Sequence, residues 1–306
     1  MAAAQSPEAC LLNSYLHRAA PLLLAAALGC ASAPRGAATD PDAREWVQLF
    51  DGRSLDGWAP KFKGYELGVN FNDTFRAEDG LLKVRYDKWS GFHGEFGHIF
   101  YTKRPFSYYV VAVEYRFVGE QVAGAGPELS WAIRNNGIMA HSQSAESMGL
   151  NQDFPISLEV QLLGGLGDGR SRTTGNLCTP GTNVVMDGKL DTRHCINSRS
   201  KTYDGDQWVR VEAIALGDSM ITHVVNGDTV LTYYKPQMGG GAVSDTKPGV
   251  LQEGKLIPGG YITLQAETAP IDFRKVEVLN LEGCMDRKAS NYKRYFVKSN
   301  PAACRY

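Results

Sequence analysis

The sequence of 306 residues lacks the signatures of several protein classes. Its formal net charge is −1, and no stretch interleaves basic with aromatic residues, so we expect no nucleic-acid partner. Strong helical periodicity is missing. No repeat of roughly 20–50 residues is visible either, which excludes propellers and solenoids. The abundant residue is glycine, with 33 copies, and the length allows one large β domain or two small ones.

Metal-binding signatures are also missing. The six cysteines include no Cys-x-x-Cys pair, so we expect no zinc site. The acidic glycine turns at 165–169 and 186–191 lack the ligand spacing of a calcium loop. The sequence therefore predicts neither a metal nor a cofactor.

The N-terminus carries a targeting segment. The apolar run Pro21–Leu28 is too short to span a bilayer, and it ends in Leu28-Gly29-Cys30. This ending resembles a bacterial lipobox, although Ala27 stands where leucine is usual. We predict a leader over 1–30, a lipid anchor on Cys30, and a flexible tether over 31–44. The mature protein is then a lipoprotein on the periplasmic side or the cell surface; the alternative is an ordinary cleaved signal peptide.

If the protein is exported, we expect its remaining cysteines to be paired, because exported proteins form disulfides. Apart from Cys10 and Cys30, four cysteines fall into two local pairs, Cys178 with Cys195 and Cys284 with Cys304. We predict these two disulfides. Each closes a loop of under about twenty residues, worth roughly 3 kcal/mol in the chain-entropy model. The spacing alone leaves the other two connectivities open.

Alternating polar and apolar residues predict β-strands along the chain. In 156–163, Leu158, Val160 and Leu162 point one way, whereas Glu159 and Gln161 point the other. We predict further strands at 81–86, 97–103, 107–118, 128–134, 208–216, 220–227, 228–236, 260–267 and 272–281. A long loop, 164–206, separates two groups of strands. The pattern indicates an all-β, two-layer sandwich.

Several of these strands contribute to one polar face if they are neighbours. That face would collect Glu114, Arg116, Arg134, Glu159, Gln161, Gln265 and Glu267. Arg134, Asn135, Asn136 and His141 are expected on a loop just before strand 156–163. Glu114 and Arg116 are better explained by ion pairing within the sheet than by catalysis. His93 and His98 are expected at the surface.

A series of motifs resembles one known family. LFDGRSLDGW, IRNNGIMAHSQS, FPISLEVQLLGG, GNLCTPGT, GDQWVRVE and GYITLQAETAPIDFRKVEV occur in this order. They resemble the 3-keto-disaccharide hydrolase family over about residues 45–281. The resemblance implies a concanavalin A-like lectin/glucanase jelly roll. It also implies hydrolysis of glycosides or oligosaccharides already oxidised to a ketone at C3. The tail, 282–306, resembles a short module found on exported bacterial proteins, and we interpret it as a disulfide-stapled cap.

A 3-keto group acidifies the hydrogen on C2, so a base can remove it and the aglycone can leave from C1. Glu159 is the candidate base, and Arg134 and His141 are candidates for stabilising the enolate or protonating the leaving group. Asn135, Gln161, Gln265 and Glu267 would hold sugar hydroxyls. Strand 156–163 lacks the second carboxylate of laminarinase-type glucanases, which favours elimination.

This activity requires a partner oxidoreductase that makes the 3-keto sugar. Two alternatives stay open: a carbohydrate-binding lectin domain without catalysis, and a conventional endoglucanase.

Overall fold

A computed structural model describes residues 40–306. The predicted leader, the lipid-anchor residue Cys30 and residues 31–39 of the tether lie outside the described residues. Among residues 40–306, no helix is long and apolar enough to cross a bilayer.

Two large antiparallel sheets make up the fold. The wide sheet has ten strands, ordered β11-β10-β15-β14-β13-β6-β17-β4-β3 with β1 paired to β17. Its strands are β1 (Trp46–Gln48), β3 (Phe75–Glu78), β4 (Leu81–Val84), β6 (Tyr108–Phe117), β10 (Thr182–Met186), β11 (Lys189–Asp191), β13 (Val209–Leu216), β14 (Met220–Val225), β15 (Asp228–Met238) and β17 (Ile271–Asn280).

The narrow sheet has seven strands in the order β12-β9-β8-β7-β16-β5-β2. These are β2 (Trp58–Phe62), β5 (Gly97–Phe106), β7 (Asn135–Ser142), β8 (Leu158–Leu163), β9 (Asn176–Cys178), β12 (Cys195–Ile196) and β16 (Gly260–Ala266). Short 3-10 helices cover Phe71–Asp73, Pro127–Ala132, Ala145–Ser147 and Pro301–Ala303. The predicted two-sheet jelly-roll sandwich is confirmed.

One apolar core lies between the sheets. On β8, Leu158, Val160 and Leu162 are fully buried in this core, as the alternation predicted. They share it with the apolar faces of β6, β13 and β16. Because side chains alternate along a strand, Glu159 and Gln161 point to the opposite face of the narrow sheet.

The predicted strand at 128–134 is wrong. Pro127 begins a 3-10 helix that runs to Ala132. Proline suits the first helical position and cannot donate to a strand ladder, which explains the difference. The chain then passes through Arg134, whose φ of 45° is in the left-handed region, before β7 starts at Asn135. Asn135, Asn136 and His141 therefore lie on a strand and not on the predicted loop.

The region predicted as a long loop, 164–206, contains four short strands, β9 to β12. Buried Leu177, Val184 and Ile196 hold them against the sandwich. Cys178 and Cys195 face each other across β9 and β12 and form a disulfide, as predicted.

The second predicted disulfide, Cys284–Cys304, is also present and staples the C-terminal module. In this module β18 (Glu282–Gly283) and β19 (Lys298–Ser299) form a two-stranded parallel sheet. Lys293 donates to the backbone oxygen of Asp40, and Arg294 pairs with Asp42. Asp40 and Asp42 belong to the segment 31–44 that we assigned to the tether, and they contact this module.

Candidate functional site

The predicted polar face divides between the two sheets. Glu114 and Arg116 lie on β6 of the wide sheet, whereas Glu159, Gln161, Gln265 and Glu267 belong to the narrow one. Glu114 accepts a hydrogen bond from Arg274 at 2.5 Å and pairs with Arg210. Arg116 pairs with Asp272 at 3.0 Å. The ion-pairing interpretation of Glu114 and Arg116 is confirmed, and neither residue belongs to the site.

Strand register sets the layout of the site on the narrow sheet. Met139 of β7 lies opposite Glu159 on one side and Thr263 on the other, and Gly137 lies opposite Gln161. Continuing this antiparallel register puts Gln265 level with Gly137 and Glu267 level with Asn135. The outer face of three neighbouring strands thereby gathers two carboxyl groups and three amides.

A cavity of about 760 Å³ lies over this face. Its sides come from chain segments outside the central strands, including the 3-10 helix 127–132, the loops before and after β8, and the Gly-rich loop after β15. The lining residues are Trp131, Asn135, Asp153, Phe154, Glu159, Gln161, Leu163, Arg172, Cys178, Pro180, His194, Cys195, Ala242, Val243, Ser244 and Glu267. Sequence reasoning found the sheet residues but missed Arg172 and the aromatic lining, because loops carry no periodic pattern that assigns them to a site.

Glu159 lies over a glycine. A Cβ atom added at Gly137 would come within 2.5 Å of Glu159 Oε1, so the carboxylate occupies the space that any other residue would fill. No described residue donates a hydrogen bond to this carboxylate, and burial raises the pKa of Glu159 to about 8. Glu159 is therefore a carboxyl group with much greater basicity than usual.

Glu267 is the second buried carboxyl group of the cavity. Burial, and next the charge of Glu159, raise the pKa of Glu267 well above its usual range. Its Oε1 accepts a long 3.4 Å hydrogen bond from Gln265, and Oε2 has no partner among the described residues. Strand 156–163 has a single carboxylate, as its sequence shows, but the cavity as a whole has two. The second is Glu267, predicted as a sugar-binding residue, which follows β16 and reaches the cavity from across β7.

Amide side chains surround the two carboxyl groups. Gln161 accepts from Asn176 at 3.1 Å. The side-chain oxygens of Asn135 and Gln265 are buried, and no described residue donates to them. Buried amide oxygens are normally hydrogen-bonded, so these two acceptors suit a ligand with hydroxyl groups.

His141, a predicted catalytic residue, lies outside the cavity. Its φ of 49° and a register shift between β7 and β16 mark an irregularity that breaks the alternation. The ring lies in the core, where Nε2 donates to Gly217 O at 3.0 Å and Nδ1 accepts from the Tyr109 hydroxyl at 3.0 Å. Burial lowers the pKa of His141 to about 4, so the ring is neutral and structural.

Arg134, the other predicted partner of the base, is also outside the lining. Its guanidinium lies 5.4 Å from the Phe117 ring and donates to the backbone oxygen of Gly205. The cation of the cavity is Arg172, whose Nη1 donates to Gly164 O at 2.6 Å and whose Nη2 donates to Trp131 O at 3.3 Å. Arg172 thus supplies positive charge at the cavity wall and also holds that wall together.

Two further groups of the site region are His98 and a cluster of two cysteines and a histidine. His98 is fully buried and not at the surface as expected; its ring contacts Phe154 edge-on at 5.7 Å. Cys178, His194 and Cys195 form a cluster of metal-ligating residue types, but both sulfurs belong to the disulfide. This cluster therefore carries no metal proposal.

Comparison with known proteins identifies the family. The profile of the 3-keto-alpha-glucoside-1,2-lyase-like domain matches residues 45–279, and the chain belongs to this family. It is a carbohydrate-acting protein. No curated relative matches the sequence.

Solved structures with a similar chain trace have low sequence identity. A candidate glycosyl hydrolase from Parabacteroides distasonis is 16% identical, with 77% of this chain and 94% of that chain covered and a TM-score of 0.43. The carbohydrate-binding module CBM66 from Bacillus subtilis is 10% identical, covering 73% and 96%, with a TM-score of 0.37. The VIP36 exoplasmic/lumenal domain, bound to Ca²⁺ and Man3GlcNAc, is 8% identical, covering 82% and 97%, with a TM-score of 0.42.

Proposed function

We propose that this protein is an enzyme that cleaves 3-keto-glycosides by removing the C2 proton and expelling the aglycone from C1. The observation that carries the proposal is the buried pair Glu159 and Glu267 on the polar face of the narrow sheet. Membership of the 3-keto-alpha-glucoside-1,2-lyase-like family supports the substrate class.

Glu159 is the proposed base. A ketone at C3 acidifies the C2 hydrogen, but the resulting carbon acid is still weak, so a base of raised pKa is better matched to it than an ordinary carboxylate. The Glu159 carboxylate takes the proton, and the electron pair becomes the enolate. Collapse of the enolate forms the C1–C2 double bond and breaks the bond between C1 and the glycosidic oxygen.

Glu267 is the proposed acid. Burial raises the pKa of both carboxyl groups and their mutual repulsion opposes ionisation of the second, so Glu159 loses its proton as the pH approaches about 8 while Glu267 keeps its own. Glu267, beside ionised Glu159, then keeps its proton and can give it to the departing oxygen. Water adds to the double bond at C1, and Glu159, whose proton has exchanged with solvent, returns a proton to C2. The net reaction is hydrolysis, with both carboxyl groups restored after one further proton passes from the water to Glu267.

The surrounding amides are proposed to orient the sugar. Asn135 and Gln265 offer buried oxygens that need donors, and pyranose hydroxyls are such donors. Arg172 places positive charge at the cavity wall, where it favours the enolate over the neutral ketone. These roles replace those predicted for Arg134 and His141, which are positioned to stabilise the fold.

One observation favours a second candidate function. A conventional glycosidase uses two carboxyl groups, one as an acid and one as a nucleophile or base, and the pairing of Glu267 with Glu159 supplies both. A lectin-like domain without catalysis is the third candidate. Because the second carboxylate is present, the choice depends on the oxidation state of the substrate.

Product analysis with paired substrates tests the proposal. Purified protein is incubated with a methyl glucoside and with the same glucoside oxidised at C3. We expect release of methanol and the 3-keto sugar from the oxidised member only. Cleavage of both at similar rates would identify a conventional glycosidase, and binding without cleavage of either would identify a lectin.

The proposed substrate implies a partner and a location. An oxidoreductase must supply the 3-keto group, because elimination followed by hydration involves no net oxidation. We also propose export and a lipid anchor on Cys30, supported by the apolar run that ends in Leu28-Gly29-Cys30. Cys30→Ser should release the protein from the membrane fraction into the soluble fraction of the cell envelope or the medium; unchanged membrane association would reject the anchor.

A further inference from the structure

We infer that the cavity contains a subsite for an aromatic aglycone, formed by an aromatic platform of Trp131, Phe96 and Phe154. The inference rests on the proposed function, since it places the leaving group of the same reaction. It goes further by naming the chemical class of that leaving group as a phenol.

The platform is built from rings that pack against one another. Trp131 lies 6.4 Å from Phe96 between ring centroids, with 27° between the ring planes, and Phe96 lies 5.0 Å from Phe154. Phe92 packs against the far side of the group, 5.1 Å from Phe96. Trp131 and Phe154 both line the cavity, so Phe96 supports two rings that a ligand can contact.

Trp131 has exposed ring surface that the fold does not use. Its exposed fraction is 47%, high for a tryptophan, and the residue lines the cavity. Large apolar side chains left exposed at a cavity commonly mark a binding surface. Hydrogen bonds fix the backbone that carries this ring, because Arg172 donates to Trp131 O at 3.3 Å and to Gly164 O at 2.6 Å. The backbone position of Trp131 is therefore fixed before any ligand arrives.

The neighbourhood of the platform favours an aryl group over a second sugar. A sugar on an aromatic ring also needs hydrogen-bonding partners for the hydroxyls at its edge. Here the lining beside the platform includes Leu163, and Arg172 uses three donated hydrogen bonds on the backbone oxygens of Trp131, Gly164 and residue 134. Asp153 Oδ1 already accepts from the backbone nitrogens of Phe154 and Ser244. Beside the platform, the Ser244 hydroxyl and the second oxygen of Asp153 are left for a ligand, fewer groups than a second sugar needs; the other free polar groups are on the sheet with the two carboxyl groups.

The chemistry of the leaving group also favours a phenol. A phenol is a better leaving group than an alcohol, and a flat ring stacks on tryptophan with an attraction beyond simple area burial. The platform would thus hold the aglycone while the amides and carboxyl groups of the narrow sheet hold the 3-keto sugar.

Equilibrium binding to the inactive Glu159→Gln protein tests this inference separately from catalysis. The probes are the phenyl, cyclohexyl and methyl 3-keto-glucosides and a 3-keto-disaccharide, with the unoxidised phenyl and methyl glucosides as a second set. We expect the phenyl compound to bind about three- to tenfold more tightly than the cyclohexyl one, the range set by aromatic pairing. Adding Trp131→Ala should weaken phenyl binding about tenfold and change methyl binding by less than about twofold. Trp131→Phe should retain most of the phenyl affinity.

Leu190→Ala is the matched control, because Leu190 is an apolar residue with an exposed fraction of 54% outside the cavity lining. It should leave all affinities unchanged. Equal binding of phenyl, cyclohexyl and disaccharide probes would overturn the inference, as would an equal effect of Trp131→Ala on every probe. Failure of the proposed function looks different: wild-type protein would then bind these ligands but release nothing from methyl 3-keto-glucoside.

Discussion

Replacing Glu159 with glutamine separates its chemical role from its structural role. The amide keeps the shape of the carboxyl group over Gly137 but cannot accept the C2 proton. We expect turnover of a 3-keto-glucoside to fall by about 10² to 10⁴, the usual contribution of a general base. We also expect the variant to be more stable than wild type at alkaline pH, which is unusual for a site residue.

The sign of the stability change follows from the pKa of Glu159, which burial raises from an ordinary 4.5 to about 8. Between these two pH values the folded protein keeps a proton that the unfolded chain has released. Stability therefore falls as the pH rises through this window. At about 1.4 kcal/mol for each pH unit, the upper bound on the loss is about 5 kcal/mol above pH 8. The Glu159→Gln substitution also removes the negative charge beside Glu267, and this change likewise stabilises the variant at alkaline pH.

Denaturant unfolding at pH 5 and at pH 9 measures the effect, together with turnover on each preparation. We expect the free energy of unfolding of Glu159→Gln to equal that of wild type at pH 5. At pH 9 it should exceed the wild-type value by a few kcal/mol, up to the upper bound given above. Glu120→Gln is the matched control, since Glu120 is exposed and outside the cavity lining, and it should change neither property. Turnover within a few-fold of wild type would refute Glu159 as the base and direct attention to Glu267. A stability gain equal at both pH values would refute the burial argument.

Three further predictions concern neighbouring features. Gly137→Ala should reduce turnover by about 10² or more, because its Cβ would lie 2.5 Å from Glu159 Oε1 and displace the base; Gly91→Ala, with no neighbour of the new Cβ nearer than 3.6 Å, should be neutral in the same assay. Replacing Cys178 and Cys195 together by serine should lower turnover more than replacing Cys284 and Cys304, because the first disulfide lines the cavity; equal losses would count against a role in the site. The His141 ring should stay neutral in an NMR titration down to about pH 4, and its contribution to stability should decline as the pH falls from 6.5 to 4; titration near pH 6.5 would contradict its burial.

The sandwich and its polar sheet face could be predicted because strand alternation has a fixed period. Leu158, Val160 and Leu162 face the core, and Glu159 and Gln161 face the cavity, as the sequence indicated. Both disulfides match the local pairing that the sequence favoured over the other two connectivities, since each pair is separated by at most 20 residues. These features depend on short stretches of chain, which a sequence shows directly.

Features that depend on interruptions or on distant strands could not be predicted. The backbone irregularity at His141 turns that side chain into the core, although the alternation of β7 would place it on the cavity face with Asn135. Glu267 was predicted on the polar face only on the condition that the strands are neighbours, and its nearness to Glu159 depends on the strand order β8-β7-β16, which no local pattern specifies. Arg172 and Trp131 come from irregular segments, where no period exists to assign a side chain to a face.

The central claim is that the reaction begins with removal of the C2 proton by Glu159. Turnover of a 3-keto-glucoside in deuterated water, with mass and NMR analysis of the released sugar, tests it most directly. If Glu159 removes the C2 proton, exchanges it with solvent and returns it, the product of the wild-type protein carries deuterium at C2. The Glu159→Gln variant should form no such deuterated product. The control is the free 3-keto sugar incubated without enzyme for the same time, which measures spontaneous exchange. Release of the aglycone with C2 still carrying its original hydrogen would contradict the account.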